Sequence, residues 1–427
     1  MIIHVVRPGE SVYSISKMYN VPYLKIINDN ELTQPDRLVV GQTLVILDAH
    51  KKHVVKIGES LYRISRMYNV SIEDILSINP EIKNKNVIYP NQIIKIPFKK
   101  YEKQDIEVNG YALSNINMDV LKKTLPNLTY LAIFSYEVRE DGTLKNINDE
   151  EIIKAAKAEN VAPLMVITNL DETGGFSSNL ARTILSNEDI QDKLLNNVLE
   201  ILKNKGYSGL DIDFEFIYPE DREKYNQFLI KTVNKLKILG YSVTTALAPK
   251  VSGDQKGLLY EAHDYPVHGR YADHVVIMTY EWGYTFSEPM AVAPVNEVRR
   301  VINYAASVIP PEKILMGIPN YGYDWLLPYE QGRPARAISN TEAVDIARRY
   351  NAAIRFDERS KTPYFNYYDE NRNLHEVWFE DARSIYEKLQ VVKDYNLGGV
   401  SYWTIGRYFP QNWLVLNSLF NVKKVLG

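Results

Sequence analysis

Between Gly206 and Ile217 the chain alternates carboxylates with apolar residues, setting Asp211, Asp213 and Glu215 against Leu210, Ile212, Phe214 and Phe216. Successive side chains of a β-strand leave on opposite faces, so this period of two puts the three acids on one face. A face washed by solvent would carry mixed charge, because like charges on a short strand repel. The stretches around it read as buried strands separated by helices, which turns the acids toward the inside of a barrel. Buried carboxylates are costly unless they are used. Close neighbours cannot all ionise, so one carboxyl keeps its proton near neutral pH beside one that stays charged. Cleavage of a glycosidic bond asks for that combination: an acid for the leaving oxygen and a partner that steadies positive charge.

Eight apolar runs can position these acids: 108–114, 130–136, 163–169, 209–216, 242–248, 274–280, 314–319 and 399–404. Helical stretches lie between most of them, as at 220–239, where Tyr225, Phe228, Leu229, Val233 and Leu236 form one stripe before Gly240. The pattern predicts an α/β fold, a (β/α)8 TIM barrel with a small α+β insertion (328–381) between strands seven and eight. No Gly-rich phosphate loop follows the first strand, which disfavours a doubly wound sheet. In such barrels the chemistry sits at the C-terminal strand ends. Polar and aromatic groups gather there: Tyr111, Phe134, Asn169, Met278, Tyr280, Glu281, Trp282, Asn320, Tyr321, Tyr323, Asp324, Trp325, Tyr402 and Trp403.

An internal repeat precedes the barrel. Residues 4–21 recur as 53–70 with 13 of 18 positions identical. Each copy reads β-α-α-β, with Ser11 or Ser60 as a helix cap. The first helix is expected to bury Tyr13, Ile15 and Met18 in one copy, and Tyr62, Ile64 and Met67 in the other. The expected division is therefore 1–49, 50–98, a charged linker at 99–105, and a catalytic domain at 106–427.

With 427 residues, 45% hydrophobic and 24% charged, the chain has the make-up of a globular protein with room for several modules. A net charge of −3 gives no pointer to nucleic acid or to an anionic membrane, and no window approaches the length of a membrane span. Without Cys there is no disulfide, thiolate nucleophile or Cys-based metal site. No metal and no cofactor are expected. The N-terminus has no basic region followed by a long apolar run, so no cleavable export signal is expected.

Residues 2–48 and 51–98 resemble LysM domains on the Gly-Glu-Ser turn, Asn30 and Asn79, and the closing Gly41-Gln42 or Asn91-Gln92. The resemblance implies binding of N-acetylglucosamine polymers, peptidoglycan or chitin, by Gly9, Glu10, Ser11 and Asn30 in one copy and Gly58, Glu59, Ser60 and Asn79 in the other. Residues 106–427 resemble glycoside hydrolase family 18. Its Asp-x-x-Asp-x-Asp-x-Glu signature matches Ser208-Gly-Leu-Asp211-Ile-Asp213-Phe-Glu215, supported by Met278-Thr-Tyr280 and Tyr402-Trp403. What this implies is substrate-assisted retention. Glu215 would be the general acid, Asp213 the partner of the acetamido N–H, and Asp211 the residue that sets Asp213. Tyr280 would hold the acetamido carbonyl, and Trp403 would form the floor, with Met278, Glu281, Trp282, Asn169, Asn320, Tyr321, Asp324, Trp325, Tyr111 and Phe134 around the sugar.

Three departures stand out: Ser208 for the first signature Asp, Glu281 where many chitinases have Asp, and Met165-Val-Ile-Thr-Asn169 without the chitinases' Ser-x-Gly-Gly. Two LysM modules ahead of such a barrel resemble the cortical fragment-lytic enzymes of spore-forming bacteria. That implies an N-acetylglucosaminidase acting on spore cortex fragments in germination. It would be made in the mother-cell cytoplasm and placed at the boundary of coat and cortex as a monomer, with coat proteins among its partners. The alternatives are a chitinase or another endo-β-N-acetylglucosaminidase, and a non-enzymatic carbohydrate-binding coat protein. The presence of Glu215 argues against the last.

Overall fold

The computed structural model describes residues 1–98 and 103–426. Of the linker expected at 99–105 only the last three residues are described, and Gln104 and Asp105 already belong to the first barrel strand.

Each repeat folds as the period changes imply. The first runs β1 (Ile2–Val5), α1 (Val12–Tyr19), α2 (Tyr23–Asp29), β2 (Thr43–Ile46), and the second β3 (His50–Val54), α3 (Leu61–Tyr68), α4 (Ile72–Ser77), β4 (Ile93–Pro97). In both, the outer strands pair antiparallel. Ser11 and Ser60 cap α1 and α3 by accepting the N–H of Ser14 and Arg63 at 3.2 Å. The buried stripe differs from the expected one. Val12, Ile15 and Ser16 face inward, as do Leu61, Ile64 and Ser65, at the 3–4 spacing of one helix face. Tyr13, Met18, Tyr62 and Met67 lie off that stripe, and all four are exposed.

Eight parallel strands form the barrel: β5 (Gln104–Leu113), β6 (Tyr130–Glu137), β7 (Ala162–Thr168), β8 (Gly209–Asp213), β9 (Ser242–Leu247), β10 (His274–Ile277), β11 (Ile314–Pro319) and, after the insertion, β17 (Gly399–Trp403). β17 pairs with both β11 and β5, which closes the ring. Closure needs a bare backbone at Gly399, where a Cβ would lie 1.7 Å from the Glu107 carbonyl oxygen. The short β18 (Phe420–Val422) clasps the outer start of β5. Along the strands, side chains alternate between two cores. Leu210 and Ile212 join the large cluster beneath the surrounding helices, whereas Tyr111, Ala132, Leu164, Val166, Ala246, Val276 and Leu315 fill the interior. Among the helices, Arg222–Lys237 buries the stripe Tyr225, Phe228, Leu229, Val233 and Leu236, as its spacing predicts.

The insertion begins earlier than expected. β12 (Gly322–Leu326), β13 (Arg336–Ile338), β14 (Arg355–Asp357), β15 (Thr362–Tyr368) and β16 (Leu374–Trp378) make an antiparallel sheet around the helix Asn340–Arg349. The hairpin expected near 364–378 is β15–β16, with Tyr364 opposite Trp378.

Asn30 and Asn79, expected at the sugar groove, are interior pins between helix and closing strand. Asn79 is fully buried. Its amide donates to the carbonyls of Ile75 and Lys95, and its oxygen accepts the Lys95 N–H at 2.9 Å. Asn79→Ala would remove three hydrogen bonds that tie α4 to β4 and cost about 2–3 kcal/mol of module stability. Faster amide hydrogen exchange across β4, with exchange in the barrel strands unchanged, is the expected reading.

Candidate active site

β8 ends at Asp213, so Phe214, Glu215 and Phe216 lie on a non-strand segment. Its backbone groups would be orphaned without side chains to meet them. Asn169, at the end of β7, reads Glu215 from both sides, accepting its N–H at 2.9 Å and donating to its carbonyl at 2.8 Å. His263 receives the Ala248 N–H on Nδ1 at 2.8 Å, which leaves the proton on Nε2 to reach the Phe214 carbonyl at 3.0 Å. Burial holds this imidazole down at about 4, so it stays neutral and keeps its acceptor. The Ser178 hydroxyl bonds the Phe216 carbonyl. Phe216 itself has φ 53° and is partly exposed against Phe176. It is not the core residue that strict alternation predicts.

The acid sits over a cleft of about 190 Å³ lined by Tyr111, Phe134, Phe176, Asp213, Glu215, Met278, Tyr280, Glu281, Trp403 and an apolar edge of Ala246, Ala248, Pro249 and Leu259. Trp403 is held edge-on by Tyr111 and Phe134, ring centres 5.4 and 4.9 Å away. Asp211 lies deeper, fully buried, and accepts the Tyr111 hydroxyl at 2.6 Å. One oxygen each of Asp211 and Asp213 is buried with no hydrogen-bond partner among the described residues.

Electrostatics follow from that crowding. Burial, with the Glu281 charge nearby, pushes the Glu215 carboxyl up to about 7. Burial pushes Asp211 up to about 6 against the pull of its Tyr111 hydrogen bond and His274. Asp213 is driven well above the carboxylate range by burial and then by Glu215 and Asp211. The Tyr280 phenol is likewise kept protonated by burial beside Asp213 and Glu215.

Several expected contacts fall elsewhere. β10 stops at Ile277, and tight turns through Thr279 and Tyr280 lead to Glu281 at φ 68°. Glu281 reaches the cleft, but Tyr321 and Tyr323 grip its carboxylate with their hydroxyls. Tyr321 therefore acts on the wall rather than forming it. Asp324 and Trp325 belong to β12, which pairs with β13 and β16 in the insertion sheet. Asp324 is buried in the insertion with His375 and Tyr367, and the Trp325 indole donates to the Ser287 carbonyl. Asn320 donates to the carbonyls of Thr404 and Arg407, and Trp282 packs against the outer core. Ser208 precedes β8 at the far end of the barrel, roughly 16 Å of strand from Asp213. Its replacement of the signature Asp does not touch the cleft.

Phe176, Ala248, Pro249 and Leu259 escaped the sequence reading. They sit on loops after β7 and β9, and of these only the aromatic Phe176 gave a signal. In the LysM turns, Glu10 and Glu59 are engaged by His4 and His53 and by backbone N–H groups, Ser11 and Ser60 by their caps, while Gly9 and Gly58 face open space at φ 80°.

Two expectations follow from the bracket and the buried acid. Asn169→Ala should lower kcat on the order of 10²-fold with little change in KM, since it misplaces the acid without touching the sugar. For Glu215 the folded carboxyl holds its proton to about pH 7 against an unperturbed 4.5, so folding binds a proton that is lost as pH rises between those values. Glu215→Gln should thus unfold at higher temperature than the parent above about pH 7, by on the order of 1–3 kcal/mol, and match it below pH 4.5. Calorimetry at the two pH values reads the difference.

The chain matches the family model "Glycosyl hydrolases family 18" over residues 99–407 and the LysM domain model over 4–47 and 53–97. It is 43% identical to the cortical fragment-lytic enzyme of Bacillus subtilis (strain 168) and 42% identical to that of Bacillus anthracis, over 99% of both chains in each case. The crystal structure of the Bacillus megaterium spore cortex-lytic enzyme SleL superposes with a TM-score of 0.89 at 40% identity, covering 99% of this chain and 98% of that one. A chitinase from Chromobacterium violaceum, 24% identical, shares the barrel fold with a TM-score of 0.69 over 73% of this chain and 98% of that one. With the signature acids at the mouth of a closed eight-stranded barrel, the chain belongs to the family 18 glycoside hydrolases and carries two LysM domains ahead of its catalytic barrel.

Proposed function

We propose that the protein cleaves the β-1,4 bond following N-acetylglucosamine in spore cortex peptidoglycan fragments during germination, with the substrate's own acetamido group as nucleophile. The observation that carries this reading is the convergence of Glu215, Asp213 and Tyr280 on one cleft floored by Trp403. Glu215, protonated below about pH 7, passes its proton to the leaving oxygen, which takes the electron pair of the broken bond. The acetamido oxygen closes onto C1 from the opposite face. Asp213 accepts the acetamido N–H through a carboxyl oxygen, and the negative charge that the Asp211–Asp213 pair shares, held mainly on Asp211 beneath it, steadies the positive charge that develops. The Tyr280 hydroxyl donates to the acetamido oxygen and holds it near C1. Water, deprotonated by Glu215, then opens the ring, and the two inversions give net retention.

The choice of glycan draws on the relatives named as cortical fragment-lytic enzymes, which align with this chain from end to end. The same proposal includes glycan binding by the LysM domains and work at the boundary of spore coat and cortex.

Glu215→Gln should reduce kcat by about 10³-fold or more while glycan affinity persists. In the parent, kcat/KM should fall as pH rises through about 7. Mass spectrometry of products from cortex fragments should find N-acetylglucosamine at the reducing end, and de-N-acetylated fragments should survive uncut. A reducing-end muramic residue, or equal digestion of de-acetylated glycan, would overturn the reading.

A further inference from the structure

The two repeats are near-copies, yet the structure gives the same edge of each an opposite environment. In the first, the edge formed by the 30–43 loop and β2 is built into the catalytic unit. Val45 belongs to the core beneath the barrel helices and Val39 to the core of the insertion. Gln411, from the helix Pro410–Leu419, donates to the Thr43 carbonyl at 2.7 Å and to Asn30 Oδ1 at 3.2 Å, and shares a hydrogen bond with the Thr43 hydroxyl. The Val40 carbonyl accepts the Ile354 N–H, and Glu31 pairs with Lys123 and Tyr408. Gly41, at φ 86°, presses so close that a Cβ would sit 1.9 Å from the Ile354 carbonyl oxygen. What remains of the 30–33 loop faces a cavity of about 280 Å³ walled by the barrel and the insertion.

In the second copy the matching edge is bare. Gln42 and Gln92 accept the N–H of Val39 and Tyr89 in the same way, which sets the correspondence. Val39 is 5% exposed and Tyr89 66%; Thr43 is 3% exposed and Ile93 55%. The second module's core is made from its own residues, and among the described residues none of its hydrogen bonds or ion pairs leads to the barrel. Its turn also offers Ile57, 89% exposed, where the first copy has Pro8.

We propose that the first LysM module is a fixed structural member joining barrel and insertion, and that the second module alone grips the N-acetylglucosamine polymer. The glycan then meets the 56–60 turn and the 78–81 loop of the second copy. The first copy's post-helix loop is tied to the catalytic unit through Gln411, Lys123 and Tyr408. This division rests on the reading above that LysM modules here bind glycan.

Two matched pairs of substitutions in the full chain test it. Pro8→Glu and Ile57→Glu place a charge at the same exposed turn position of each copy. Co-sedimentation with insoluble peptidoglycan should fall about tenfold for Ile57→Glu and less than about twofold for Pro8→Glu. Were both modules gripping, either substitution would forfeit the same avidity, so equal losses, or a larger loss for Pro8→Glu, would overturn the division. A parent protein that does not sediment at all would remove glycan binding by the LysM modules itself, and this proposal with it. Gly41→Ala and Asn91→Ala put the same side chain at two equivalent positive-φ positions. The first should lower the heat-inactivation midpoint of hydrolysis on soluble fragments by several degrees and the second should leave it in place. Equal midpoints would show the first module to be no part of the catalytic unit.

Discussion

Three carboxyl groups, two residues apart on one chain segment and walled from water, cannot all carry charge. Coulomb repulsion in a poorly solvated site is strong enough that protons must be distributed among them. Much of the site's architecture answers this demand. Tyr111 supplies Asp211 with a hydrogen bond, Asp213 is left between two acids, and Glu215 takes the highest ground, past the end of β8. An acid placed on a regular strand would have its backbone hydrogen bonds met by its neighbours. Beyond the strand, those bonds come from Asn169 and His263, and the position of the proton donor becomes a matter of side-chain chemistry.

The barrel and the acids were legible because both write themselves as periodicity. Strands buried on both faces produce apolar runs, and a catalytic strand breaks its run on every second residue. Pattern and structure part where periodicity outlasts the strand it describes. Alternation continues through Phe216, but the strand stops at Asp213, and Phe216 turns outward. The barrel strand stops at Pro319 and a new strand of another sheet starts at Gly322, so Asp324 and Trp325 belong to the insertion sheet and not to a barrel mouth.

Elsewhere the residue type is plain in the sequence and its job is not. Asn169 holds another residue's backbone, and Asn30 and Asn79 pin strands to helices. An asparagine's two-sided amide suits such bridging as well as it suits a sugar, and a linear sequence does not say which partner arrives. In the repeats, the helical pattern predicts Tyr13 and Met18 in the core beside Ile15. Tyr13 and Met18 prove to be surface, since the inward stripe of an eight-residue helix has room for few side chains.

The ring is sealed by its two most distant parts. Asn109 on β5 and Ser401 on β17 hydrogen-bond across 292 positions of sequence, and β18 clasps β5 from farther still. During synthesis the first barrel strand therefore leaves the ribosome with its final neighbours unmade. It must wait, with one edge unpaired, until nearly the whole polypeptide has emerged. The second LysM module, whose core is made of its own residues, can finish folding long before that, whereas the first has Val45 and Val39 to seat against surfaces that do not yet exist. The order of assembly in the cell is thus set by where the cylinder closes, with the hydrolytic cleft completed last.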